Sequence, residues 1–99
     1  MKKSVLFLRD PNYTVVIADI PDWDGFEKLI RFVQKYYDVE VLEQYDGPGA
    51  RRWILKSKTT VFELIHDDGY GNYFLAPTPD SEPLIRQIGE DLEERLKNT

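Results

Sequence analysis

Between Gly49 and Ala76 apolar and polar residues alternate in three runs, Arg51 to Lys56, Thr59 to Asp67 and Tyr70 to Ala76. Only Ser57-Lys58 and the Asp-Asp-Gly at 67 to 69 separate them. Connections this short leave no room for a crossover, so the runs are expected to pair as an antiparallel meander. Upstream, Val5 to Leu8 and the β-branched run Tyr13 to Ile20 flank Asp10-Pro11-Asn12 and predict an opening hairpin. Lys2-Lys3 would suit an edge strand. Apolar Phe26, Leu29, Ile30, Val33, Tyr36 and Tyr37 then recur at the spacing of one helix face. They predict a helix from about Asp22 to Tyr37, with Asp22 or Asp24 as cap and dipole partner. Asp38 breaks the period, and Val39 to Tyr45 alternates as a strand that ends at Asp46-Gly47-Pro48-Gly49. After Thr78-Pro79, Asp80 or Ser81 is the expected cap of a last helix, with Pro83 in its first turn and Leu84, Ile85, Ile88, Leu92 and Leu96 as its stripe.

The pattern predicts one α+β domain over residues 1 to 99. It has a single, mostly antiparallel sheet of five or six strands and two helices packed on one face. The connection from Tyr13–Ile20 through the helix to Val39–Tyr45 suits a right-handed crossover that leaves those two strands parallel. A turn at Ser57-Lys58 sets Trp53 opposite Phe62, Leu55 opposite Thr60 and Arg52 opposite Glu63. A direct hairpin at 46 to 49 adds Glu43 opposite Arg52, which makes a charged ladder. A one-residue bulge at that loop instead turns Val39 and Val41 toward the face of Trp53 and Leu55, and is preferred because it buries more apolar surface. The expected core is Phe26, Leu29, Ile30, Val33, Trp53, Leu55, Phe62, Leu64, Ile85, Ile88 and Leu92. Ile54, Val61 and Ile65 fall on the other face, as ordinary open-sheet surface or as a homodimer or partner patch.

Composition narrows the functional classes. The chain has 99 residues, a formal net charge of -5 and no cysteine. Disulfides, thiolate zinc sites and cysteine nucleophiles are thereby excluded, and a reducing compartment is compatible. Val5 to Leu8, stopped by Arg9-Asp10, is too short for a signal h-region, and no run reaches the length of a membrane span, so the chain reads as cytoplasmic. Net acidity disfavours a phosphate-neutralising grip on nucleic acid and favours a basic protein partner. In size and acidity the chain is similar to many bacterial inhibitor and immunity proteins, a similarity of bulk properties without residue correspondence.

Candidate chemistry is sparse. His66-Asp67-Asp68 is the one cluster suited to a base or a metal ligand, and it supports an alternative reading as a small enzyme or metal-binding domain. Asp68-Gly69 is equally a hairpin turn. No phosphate loop, dinucleotide fingerprint or nucleophile elbow occurs, and no cofactor is expected. Arg51-Arg52-Trp53 is read as a structural segment, with Trp53 inward. Strand direction brings three loops to one end of the sheet, and there Asp19, Asp22, Asp24, Asp46, Asp67 and Asp68 are expected with Trp23, Tyr45 and Tyr70. Crowded acids without a cation cost stability, so this edge is the expected docking site for a basic protein surface, with a divalent cation as the alternative.

Overall fold

The computed structural model describes residues 5–9, 14–18, 23–69 and 71–97, with no side-chain description for 5–9, 14–18, 23, 96 and 97. Four antiparallel strands form the meander: β3 (Val39–Gly47), β4 (Ala50–Ser57), β5 (Thr60–Asp67) and β6 (Gly71–Ala76). Helices α1 (Trp23–Tyr37) and α2 (Glu82–Lys97) complete an α+β fold. The backbone of β2 (Thr14–Ala18) runs antiparallel beside β6, and that of β1 (Val5–Arg9) beside β2. The expected turn at 10 to 12 and the Lys2-Lys3 edge lie outside the described residues. Among the described residues no helix is long and apolar enough to cross a membrane.

Both helices lie on one face and share one core. All eleven residues expected in that core are buried, together with Val39, Phe74 and Ala76. The helices also touch each other. The Tyr37 hydroxyl of α1 donates to Asp91 Oδ2 of α2 at 3.0 Å, and the Arg95 guanidinium of α2 lies 3.9 Å from the ring centre of Tyr36. Burial, then the hydrogen bond to Asp91, pushes the Tyr37 hydroxyl up to about 12.

Register departs from expectation in two places. The β4–β5 turn is Lys58-Thr59, since Ser57 pairs with Thr60. Trp53 therefore stands opposite Leu64 rather than Phe62, Leu55 opposite Phe62 rather than Thr60, and Arg52 opposite Ile65 rather than Glu63. Two features explain the shift. The Ser57 hydroxyl donates to the carbonyl of Tyr37 at 2.6 Å, which satisfies an acceptor at the end of α1 and keeps Ser57 in the strand. Lys58 takes the left-handed backbone that the turn demands, with φ of 57°. The register has moved by two residues, an even number, so every side chain keeps its expected face.

The second departure is in β3. Gly47 pairs with Ala50, so Pro48-Gly49 is a tight two-residue loop, and Gly49 carries φ of 71°. Proline first and a positive-φ glycine second is a type II combination. The extra residue expected at this loop lies instead within the strand, where the register shifts between Val41 and Glu43. Val39 and Val41 still face the core, as the bulged alternative required. Beyond the bulge Tyr45, not Glu43, stands opposite Arg52. Of the charged ladder one contact remains, a diagonal one: Arg52 Nε lies 2.6 Å from Glu63 Oε1.

The last helix starts differently too. A 3-10 turn, Pro79–Ser81, precedes it, and Thr78 at its N-cap makes no side-chain capping bond. Ser81, an expected cap, is buried and donates its hydroxyl to the Val61 carbonyl at 2.5 Å, while Asp80 is exposed. β6 has ended at Ala76, before Pro77, which has no N–H to continue the ladder.

Candidate functional site

Beyond the row of Val39, Ser57 and Thr60, three further rows of side chains cross the helix-covered face of the meander. Val41, Leu55 and Phe62 make one row, and Gln44, Trp53, Leu64 and Phe74 the next. The third, at the end where β3 and β5 finish, changes character. Asp46, Arg51, His66 and Asn72 stand side by side on four adjacent strands. Arg51, His66 and Asn72 are buried, so this polar row closes the top of an apolar core. Buried polar groups persist only where hydrogen bonds replace lost water.

Arg51 is the hub of the row. Its Nε donates to Asp46 Oδ1 at 3.0 Å, and its Nη2 lies 3.2 Å from Glu27 Oε1 on α1. The guanidinium carbon sits 4.4 Å from the ring centre of Phe26 and 5.1 Å from that of Trp53. The side chain is 7% exposed, against 47% for Asp46 and 51% for Glu27. One buried cation thus gathers two half-exposed carboxylates from separate elements. The expected acidic edge therefore contains a cation of its own, which corrects the premise of uncompensated repulsion there.

Asp46 also accepts Trp53 Nε1 at 2.9 Å. That bond, then the one from Arg51, holds the Asp46 carboxyl below its usual range. A lowered folded-state pKa favours folding while the carboxyl is ionised. Its contribution is full above the unfolded value of about 4 and is lost as pH falls through the lower folded value. In melting curves from pH 2 to 6, Asp46→Asn is expected to lose stability at neutral pH and to show a flatter acid limb than the parent. An identical acid limb would show that Asp46 does not report on these bonds.

The neighbouring histidine is divided between two partners. His66 Nδ1 lies 2.8 Å from Asn72 Oδ1, and Nε2 lies 3.2 Å from Asp68 Oδ1. Donor and acceptor roles at the two contacts follow from the ring tautomer and from which way the Asn72 amide is turned. Asp67 faces elsewhere and accepts the Gly69 N–H at 2.7 Å, an ordinary turn bond. The sequence cluster His66-Asp67-Asp68 is thus split, with only Asp68 reaching the ring. The concavity beside the β3–β4 hairpin, about 530 Å³, is lined by Tyr45, Asp46, Arg52 and Ile65 among others, and not by His66. Among the described residues no group of three or more His, Cys, Asp or Glu is placed to hold a metal ion.

The rim around this row is acidic. Asp68, 75% exposed, leans over the neighbouring hairpin: a Cβ added at Gly49 would lie 2.5 Å from its Oδ2. Asp24 is in the first turn of α1, whose next turn supplies Glu27. Asp46 and Glu27 thus meet at Arg51, and Asp68 reaches the 46–49 hairpin, whereas Asp67 bonds within its own turn. Asp19, Asp22 and Tyr70 lie outside the described residues, as does the side chain of Trp23. Tyr45 stands on the opposite sheet face, where its hydroxyl donates to Glu43 Oε2 at 2.9 Å and is pushed up by that bond.

Sequence reasoning did not give Arg51, Glu27 or Asn72 a part in this end. The signal available was the parity of β4: if Trp53 points inward, so does Arg51, and an inward arginine requires acids. No protein family, characterised protein or solved structure was found to match this chain.

Proposed function

We propose that this is a small non-catalytic protein-binding module, of the inhibitor or immunity type, whose acidic rim docks a basic protein surface. In this reading the hairpin of β1 and β2 completes the expected five- or six-strand sheet. The supporting observation is that three acids from separate chain segments, all at least 47% exposed, stand over one polar row: Glu27 and Asp46 on the buried Arg51, and Asp68 on the neighbouring buried His66. A cation beneath the surface fixes where the acids stand and leaves their outer faces free for a partner's Lys and Arg. Net charge of -5 speeds the encounter with such a partner at low salt. The runner-up, acid-base or metal chemistry through His66 with Asp67 and Asp68, has the single His66–Asp68 contact in its favour.

The test separates recognition from folding. Asp46 is unsuitable for it, because it bonds both Trp53 and Arg51. The triple variant Asp24→Asn/Glu27→Gln/Asp68→Asn removes three negative charges and keeps one acceptor oxygen at each position. Immobilised wild type is expected to capture a basic protein from extracts of its native host, and the triple variant to lose it with unchanged circular dichroism. Capture that survives the triple change, or a wild type that retains no basic protein, sinks the reading.

A further inference from the structure

The sheet face away from the helices carries a second, chemically different surface. Register sets Arg52, Ile65 and Tyr73 in one row and Ile54, Glu63 and Leu75 in the next, with Val61 opposite Lys56. The same rows continue onto β2, where Ile17 is opposite Tyr73 and Val15 opposite Leu75. Ile54, Ile65, Tyr73 and Leu75 are only partly buried and Val61 is exposed, and both helices pack on the other face. The expected stripe of Ile54, Val61 and Ile65 is thus part of a wider apolar patch.

In the middle of the patch sits a carboxylate. Glu63 is buried among its sheet neighbours and bonded to the exposed Arg52. The pair cancels its own charge, so the centre of this face is neutral on a chain of net charge -5.

We infer that this face is where two copies of the chain meet, sheet against sheet, about a two-fold axis. Charge selects the occupant. Two chains of -5 repel through their rims, and a neutral patch is where copies approach without that cost. A basic partner is drawn to the rim rather than here. A two-fold contact also presents each copy with the same mixture of apolar side chains and a self-satisfied ion pair, which is self-complementary. Extent agrees with this. Strands of 5 to 9 residues, at about 3.3 Å per residue and about 4.8 Å apart, give the whole six-strand face roughly 650 Å² in plan, against about 800 Å² per partner in a standard interface. Open sheets pack in this way about 10 Å apart, with strands near -30°.

The inference is independent of the acidic rim and is tested separately. Sedimentation velocity on the full chain, from low to high micromolar, is expected to show a two-chain mass that falls to one chain on dilution. Ile65→Asp and Val61→Lys each place an unpaired charge in the contact, and each should raise the dissociation constant at least ~100-fold while circular dichroism is unchanged. Val61, the more exposed of the two, carries the test if Ile65→Asp unfolds. Leu42→Asp, an exposed change on the edge strand β3, serves as the control and should leave the mass unaltered. A wild type that stays a single chain throughout, a two-chain mass that survives Val61→Lys, or dissociation by Leu42→Asp overturns the inference.

Discussion

Trp53→Ala is expected to remove about 3 to 5 kcal/mol of folding stability, a large part of the about 5 to 15 kcal/mol that a domain possesses. Three separate losses add up there. The indole is 9% exposed, so truncation opens a cavity between α1 and the sheet. It meets Phe26 edge-on, with ring centres 5.3 Å apart and planes at 78°, and that contact is worth more than its buried area alone. Its Nε1 is one of the two donors at Asp46 Oδ1, and without it the carboxylate retains only Arg51. Trp53→Phe keeps most of the packing and loses the donor, so a smaller cost of about 1 to 2 kcal/mol is expected. Guanidinium denaturation of both variants measures the difference. A loss below 1 kcal/mol for Trp53→Ala would mean that this strand face does not carry the core.

What the sequence made legible follows from period. Two-residue alternation fixes which side of a strand faces the helices, and Trp53, Leu55, Phe62 and Leu64 are all inward as expected. Alternation is silent about displacement by an even number, so the β4–β5 turn was misplaced by one residue and the pairing by two, with no face exchanged. The deciding contact, Ser57 to the Tyr37 carbonyl, joins residues 20 apart and leaves no local mark. Burial of Val39 and Val41 is the reason to expect a bulge, and both do face the core, but the irregularity lies within the strand rather than at the 46 to 49 loop. Pro48-Gly49 makes a regular tight turn there, and the extra residue falls in the exposed edge strand, where it interrupts a single ladder.

The site was legible to a lesser degree. Strand direction alone brought the turns at 46 to 49 and 67 to 69 to one end, and Asp68 against Gly49 shows how closely they meet. Chemistry at that end was harder to read. Local sequence joined His66 to Asp67 and Asp68, whereas the fold joins it to Asn72 across the turn and leaves Asp67 with its own loop. Asp46 and Asp68 have structural duties beyond solvation, and those duties arise from partners 5 to 7 positions away or on the neighbouring strand.

Arg51→Ala is expected to cost about 3 kcal/mol, and Arg51→Met clearly less. The two changes separate the parts of one interaction. Alanine removes the side chain that packs against Phe26 and Trp53, together with the cation that balances Asp46 and Glu27. Losing one partner of a buried pair costs about 3 to 5 kcal/mol when the remaining charge is stranded. Here both acids are about half exposed and water rehydrates them, which places the value at the lower end. Methionine restores most of the volume and none of the charge. If packing dominates, Arg51→Met recovers most of the loss; if the charge dominates, the two variants unfold alike. Packing is expected to prevail, because the guanidinium carbon lies 4.4 and 5.1 Å from two ring centres while its acids retain access to solvent. Added salt discriminates further. It should weaken the parent relative to Arg51→Met, since only the parent has the Arg51 ion pairs to screen. Equal denaturation midpoints for Arg51→Ala and Arg51→Met would show that the rim is held by charge, and that the acids at this end stand where the arginine pulls them.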